Sequence, residues 1–317
     1  MRWVVAVFLT LLCGSALADG YRYGVNLTGT EVHSDREFDL LAQTGVKWAR
    51  ISLPWMAISH AEGKYDWTVP DHNIAALRKR DINVLLILTG TPCWADSKSE
   101  TNASECVKDI PKLSALQDYV TKAIARYHSD VNYWEIWNEP DIGLNGSLKD
   151  YRQDILLPAS RILHLKGMHV VAPALSSDRF SPSDFQRNLG TVLNGGGAGA
   201  IDIVSVHVYR TADRVVPYGR AAKSAMTQYG IGNKPIWLTE FGNKLGHSAI
   251  TAPAGYLRSA TSDNRTGRVF AKMFWFSLRD GKCSPSGDCS SMSFGLLDND
   301  LNPRPSFEAL RTQVGLP

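Results

Sequence analysis

Beyond one short stretch near its start, this 317-residue chain has no apolar run approaching the roughly 20 residues that cross a bilayer, so no membrane span is expected. Charge of one sign is equally scarce. Lys and Arg number 34 against 31 Asp and Glu, a formal balance of +3. A groove that tracks phosphates needs clustered Lys and Arg, so nucleic acid is not expected as a partner. Cysteine is rare, five in all, and no Cys-x-x-Cys occurs, which argues against a zinc site. The sequence also lacks a His-x-His, the pair a metal-dependent hydrolase would carry at a strand end, so neither metal nor cofactor is expected. No repeat, linker or composition break divides it. With 44% apolar and 21% charged residues it is neither disordered nor collagen-like, and one domain with an ample core is expected. Tryptophan, by contrast, is plentiful at nine, and indole planes stack well on sugar rings.

The short N-terminal stretch reads as a label. Arg2 precedes the apolar run Val4 to Leu12, and Ala16-Leu17-Ala18 follows as a small-x-small cleavage pattern. Residues 1–18 are thus expected to be a signal peptide and 19–317 the mature domain, secreted or periplasmic and monomeric. Loss of Cys13 leaves Cys93, Cys106, Cys283 and Cys289, which could pair in more than one way. Sequence neighbours suggest Cys93–Cys106 and Cys283–Cys289, each closing a short polar loop. An exported protein meets an oxidising compartment, which favours such bonds over free thiols.

Along the mature chain, short apolar β-branched runs alternate with helical patterns. The strand candidates are 23–28, 46–53, 83–88, 131–137, 169–174, 201–208, 235–240 and 269–277. Their starts lie about 35 residues apart, the size of a βα unit. Between them, Ser34 to Glu37 form a capping box ahead of Phe38 and Leu41. Ser181 precedes Pro182 at a first helical position, and 113–127 places Leu116, Val120, Ile124 and Tyr127 on one face. Pro158 should kink the pattern at 147–166. Eight strands each followed by a helix argue for an α/β fold, a single (β/α)8 TIM barrel, over a doubly wound open sheet. Two tempting motifs fail on context. Gly195 to Gly199 precedes a strand where a phosphate cradle would follow one. Asp298 opens like a calcium loop but meets Pro303 at the position of the required Gly.

Chemistry in a barrel of this kind sits at the C-terminal ends of the strands. The fourth candidate ends in Trp134-Glu-Ile-Trp-Asn-Glu139-Pro140 and the seventh in Ile236-Trp-Leu-Thr-Glu240-Phe-Gly242. Two carboxyls in equivalent positions would face each other across the mouth, as the two carboxyls of glycoside hydrolysis must. Alternation puts Ser205, His207 and Tyr209 on one face of the sixth strand, and Arg50 and Ser52 on one face of the second. In the eighth, Met273, Trp275 and Ser277 share a face opposite Phe274 and Phe276. Arg50, His207, Tyr209 and Trp275 are therefore expected to converge with the two Glu. Glu135, on the inward face with Glu139, is expected to pair with Arg50 below them.

Trp-Asn-Glu-Pro at 137–140 and Thr-Glu-Phe-Gly at 239–242, with Arg50, His207, Tyr209 and Trp275, resemble the clan A retaining glycoside hydrolases over essentially the whole mature chain. Leu88 to Trp94 and Glu135 to Glu139 look most like family 39, with family 5 the nearest rival. The resemblance implies Glu139 as acid/base and Glu240 as nucleophile. It implies Asn138 on the substrate 2-hydroxyl, Tyr209 and Arg50 on the nucleophile, His207 lining the subsite and Trp275 as its floor. Trp55, Trp94 and Trp137 are candidate sugar platforms, though each could equally be core. Family 39 xylosidases carry an added β-sandwich, and this chain ends after its eighth helix, so an endo-acting enzyme on a polysaccharide or oligosaccharide is expected. A catalytically silent barrel that only binds polysaccharide is the rival reading.

Overall fold

The computed structural model describes residues 20–28, 30–244, 252–267, 269–281 and 293–316, with only the backbone of 264–267. The leader expected at 1–18 and the Cys283–Cys289 pair lie outside the described residues. No helix among them is long and apolar enough to cross a membrane.

Nine parallel strand segments form one sheet: β1 (Tyr23–Leu27), β2 (Trp48–Pro54), β3 (Asn83–Thr89), β4 (Tyr133–Ile136), β5 (His169–Val171), β6 (Leu175–Ser176), β7 (Val204–Tyr209), β8 (Ile236–Gly242) and β9 (Lys272–Trp275). Their order, β5-β4-β3-β2-β1-β9-β8-β7-β6, closes on itself. β5 and β6 are two pieces of one strand, parted at Ala172-Pro173-Ala174 because Pro173 has no N–H to give a ladder. Val171 bridges to Ile203 and β6 pairs with β7, so the circuit is an eight-stranded barrel. The fold is the expected (β/α)8 barrel.

The main helices between strands are α1 (Asp35–Gln43), α2 (Thr68–Lys79), α3 (Leu113–Tyr127), α4 (Leu157–Leu165), α5 (Pro182–Leu193), α6 (Val215–Gln228), α7 (Ala252–Gly267) and α8 (Pro305–Val314). Both α1 and α5 start at capping boxes, Ser34 with Glu37 and Ser181 with Asp184. The kink expected at Pro158 appears as a widened π-helical turn, Tyr151–Leu156, running into α4. Proline cannot supply the N–H that would close a regular turn there, so the preceding turn loosens.

Strand residues facing the helices join one continuous apolar core with Phe38, Leu77, Tyr119 and Phe185. The lower barrel interior is a separate plug of Trp48, Leu85, Val171, Ile203, Trp237 and Phe274. Phe274 therefore faces inward, and its neighbour Trp275 faces out. Trp275 packs edge-on against Phe241 and against Tyr256 of α7, at centroid distances of 5.4 and 6.1 Å. This corrects the expectation that Trp275 joins the two Glu as a subsite floor. Alternation had grouped the residues of this strand correctly. Both faces of a barrel strand are apolar and buried, so the pattern carries no sign of which face looks in.

Candidate active site

Above the aromatic plug the interior turns polar, and Arg50 of β2 is its hub. Its Nε donates to Glu135 Oε2 at 2.6 Å, and Nη1 to Asn26 Oδ1 at 2.9 Å and Glu240 Oε1 at 2.5 Å. Nη2 donates to Asn138 Oδ1 at 2.8 Å. Glu135 has no solvent exposure and also accepts from Ser205 Oγ at 3.2 Å and the Ala174 N–H at 3.4 Å. The ion pair expected between Glu135 and Arg50 is present. A buried cation set between carboxylates keeps its proton: desolvation works against it, but Glu135 and Glu240 raise the guanidinium well above its ordinary range.

Glu240 reaches this cluster through a bulge. The ladder pairs Val206 with Leu238 and then His207 with Glu240, so one extra residue is accommodated in β8. Trp237 points into the plug, and strict alternation from it would send Glu240 outward. The bulge restores the inward aim and turns Phe241 to the outer core. Tyr209 then donates its hydroxyl to Glu240 Oε2 at 2.5 Å. Burial opposes ionisation of Glu240. The charges of His207 and Arg50, with hydrogen bonds from Tyr209 and Arg50, overcome that and hold its carboxyl below the usual range.

Glu139 sits on a sharper device. Trp137 and Glu139 both have left-handed backbone, with φ of 73° and 43°, before the short helix Pro140–Gly143. Such strain in residues with side chains persists only where packing enforces it, and it turns Glu139 toward the barrel axis. Its Oε1 lies 2.9 Å from His207 Nδ1, which is 3.5 Å from Glu240 Oε2. One side-chain atom from each of Glu139, His207 and Glu240 lies within 4.8 Å of the others. The three could ligate a metal only by surrendering the bonds from Arg50, Tyr209 and His207. Burial lowers the His207 pKa, but Glu240 and Glu139 more than reverse this and raise it. The arrangement therefore sets an ionised carboxylate opposite a second carboxyl that can exchange a proton with an imidazole.

The structure thus gathers Arg50, Asn138, Glu139, His207, Tyr209 and Glu240, and leaves Trp275 outside. Trp55 is fully buried, stacked on Tyr119 at 4.5 Å, so it is core. Trp137 is 3% exposed. Trp94 alone of the three platform candidates is partly open, its Nε1 donating to the Ser59 carbonyl at 3.0 Å. It lies on a loop closed by the Cys93–Cys106 disulfide, as expected. Two site residues were missed. Asn26 anchors Arg50 and donates Nδ2 to the Thr239 and Trp275 carbonyls at 3.0 and 3.2 Å. Its signal was available, a polar residue alternating with Val25 and Leu27. Asp141 follows Glu139 by two residues and accepts from the Ser176 N–H at 3.0 Å. Burial raises its pKa to about 7, and the nearby charge of Glu139 adds to this. A carboxyl in an ordinary-looking turn gave no warning.

A barrel with paired carboxyls at the ends of β4 and β8 is the architecture of TIM-barrel glycosyl hydrolases. The family model described as glycosyl hydrolase catalytic core matches residues 93–294, and the chain belongs to that family. Among solved structures it is similar to a family 39 glycoside hydrolase from the gut symbiont Bacteroides cellulosilyticus WH2. There the TM-score is 0.75 at 19% identity, covering 94% of this chain and 64% of that one. A monomeric β-xylosidase from Caulobacter crescentus CB15 gives 0.70 at 18% identity, covering 92% and 67%. An endo-β-1,4-glucanase from Xanthomonas axonopodis pv. citri gives 0.64 at 14%, covering 93% and 98%. These likenesses are of fold, and the chain spans just under two thirds of the Bacteroides protein. No curated protein matches the sequence.

Proposed function

We propose that the protein is an exported, monomeric, retaining glycoside hydrolase of the family 39 type, cleaving β-glycosidic bonds within a polysaccharide or oligosaccharide. The observation that carries this is the pair Glu139 and Glu240, with side-chain atoms within 4.8 Å across His207. Retaining enzymes hold their carboxyls about 5 Å apart, too close for an intervening water and close enough for direct attack. Glu240, kept anionic by Arg50 and Tyr209, attacks the anomeric carbon. Glu139 gives its proton to the leaving oxygen and then, as a base, activates the water that releases the sugar. Arg50 holds the Asn138 amide by its oxygen, which leaves the Asn138 Nδ2 to donate to a sugar hydroxyl. Export rests on the Val4 to Ala18 pattern.

Screening β-glucans, xylans, mannans and bacterial exopolysaccharides for new reducing ends identifies a substrate, and the size of the first products reads endo action. Proton NMR of the first product should then show the anomeric configuration of the substrate. An inverted first anomer contradicts Glu240 as nucleophile. Binding without cleavage of any of these glycans supports the silent barrel instead.

A further inference from the structure

On the outer wall of the barrel, away from the two Glu, a polar groove of about 630 Å³ opens along α5, its lining including Lys149, Arg152, Arg187, Asn194, Gln228 and Tyr229. That volume falls within the roughly 300–1,000 Å³ of small-molecule sites. Three cations line the groove and no carboxylate does. Arg187 has a counter-charge in Asp184. Lys149 has the charge of Asp150 beside it, and Arg152 has no ion-pair partner among the described residues.

Arg152 is the anomaly. It is 8% exposed, yet among the described residues its side chain makes one hydrogen bond, from Nη1 to the Thr191 carbonyl at 2.7 Å, and its buried Nε has no partner there. A buried guanidinium without an anion is costly, and one is normally balanced by a carboxylate or phosphate. The backbone of Gly195 accommodates it. A Cβ built there would lie 3.2 Å from its Cζ and Nη2, and Gly195 has a φ of +50°. Its neighbours are glycine for other reasons: Gly196 has a φ of +96°, and a Cβ on Gly197 would collide with the Val192 carbonyl.

We propose that this groove binds the carboxylate of an acidic saccharide, a uronate unit of a glycan chain. The carboxylate would supply the counter-charge that Arg152 lacks among the described residues, with Lys149 beside it in the lining. Asn194, Gln228 and the Tyr229 hydroxyl would meet the sugar hydroxyls. The choice of a saccharide rests on membership of the glycosyl hydrolase core family, and none of it rests on the roles given to Glu139 or Glu240.

The test is calorimetric titration of the intact protein with trigalacturonate, xylotriose and inorganic phosphate, each at low and high salt. Trigalacturonate should bind, more weakly as salt screens the charges, and xylotriose should not compete for the same site. Lys149→Ala with Arg187→Ala, both at exposed side chains, should weaken it about tenfold, the scale of two partly screened charge contacts. Arg152→Gln should weaken it further, and thermal melts check that each variant folds. Cleavage of any neutral substrate should be unchanged, and if no substrate is found the binding result still stands alone. Absent binding, or binding untouched by all three substitutions, overturns the proposal. Phosphate binding as well as trigalacturonate would show an adventitious ion only, and overturns it too.

Discussion

At the scale of single residues, the two carboxylates differ in what holds them, and their variants should differ accordingly. Glu240→Gly should nearly abolish cleavage whatever the leaving group. Glu139→Ala should cost about 10²–10⁴-fold on a substrate whose leaving group needs a proton, and much less on a dinitrophenyl glycoside. There the glycosyl-enzyme should accumulate with a burst, and azide, which needs no base, should restore turnover. The glycosyl azide from Glu139→Ala should retain configuration and that from Glu240→Gly should invert it. The reverse pattern exchanges the two roles. Arg50 gives a third test, because Glu135 and Glu240 both depend on it. Arg50→Gln leaves two buried carboxylates without their cation and should cost about 3–5 kcal/mol in urea unfolding. Ionised Glu240 keeps the charge of His207 but loses both the charge and the hydrogen bond of Arg50, so the acid limb of the pH–rate profile should move upward. A limb that stays in place would sink the nucleophile role.

At the scale of elements, the strands were legible and their faces were not. Runs such as Val84 to Leu88 are apolar throughout because both sides of a barrel strand are buried, so position and length can be read directly. The sign of the face needs a polar marker. Arg50, Glu135, His207 and Tyr209 supplied one for β2, β4 and β7, and their convergence was foreseen from alternation alone. β9 has no such marker near Trp275, so the largest ring was turned inward when Phe274 is the residue that fills the barrel. The bulge in β8 was equally invisible, since an inserted residue leaves no trace in composition. Glu240 was aimed correctly only because a carboxyl there demanded a reason. The loop after β3 was legible through its cysteines. Its disulfide, with a sequence separation of 13, should add about 2–3 kcal/mol by restricting the unfolded chain. Reduction, or Cys93→Ser with Cys106→Ser, should lower the unfolding free energy from urea titration by that amount. If Trp94 is a sugar platform, the same change should raise KM more than it lowers kcat.

At the scale of the whole molecule, a barrel that holds carboxyls out of water should show it in the pH dependence of stability, and two of them pull in opposite directions. Glu37 caps α1 and is held by His33 at 3.1 Å and by Arg279 at 3.1 Å. Burial opposes its ionisation, yet the bonds from His33 and Ser34 and the charges of His33 and Arg279 bring its pKa down to about 2. Its unfolded value lies near 4.3, so the native state favours the anion. That stability is complete above about pH 5 and is lost as the pH falls toward 2. Asp141 is the converse case. Burial first, and then Glu139, raise it to about 7. The unfolded chain ionises it near pH 4 while the native state keeps its proton, so stability drains away as the pH rises from 4 to 7. Each difference of two to three units corresponds to about 3–4 kcal/mol at most. Glu37→Gln should therefore destabilise the protein at pH 7, and the gap from wild type should close by pH 2. Asp141→Asn keeps an oxygen for the Ser176 N–H and removes the charge. It should stabilise the protein at pH 8, and that gap should close below pH 4. Urea unfolding of the three proteins at unit steps of pH measures both. Parallel curves for wild type and Asp141→Asn would mean that Asp141 ionises normally in the folded state, and that its carboxyl is open to water.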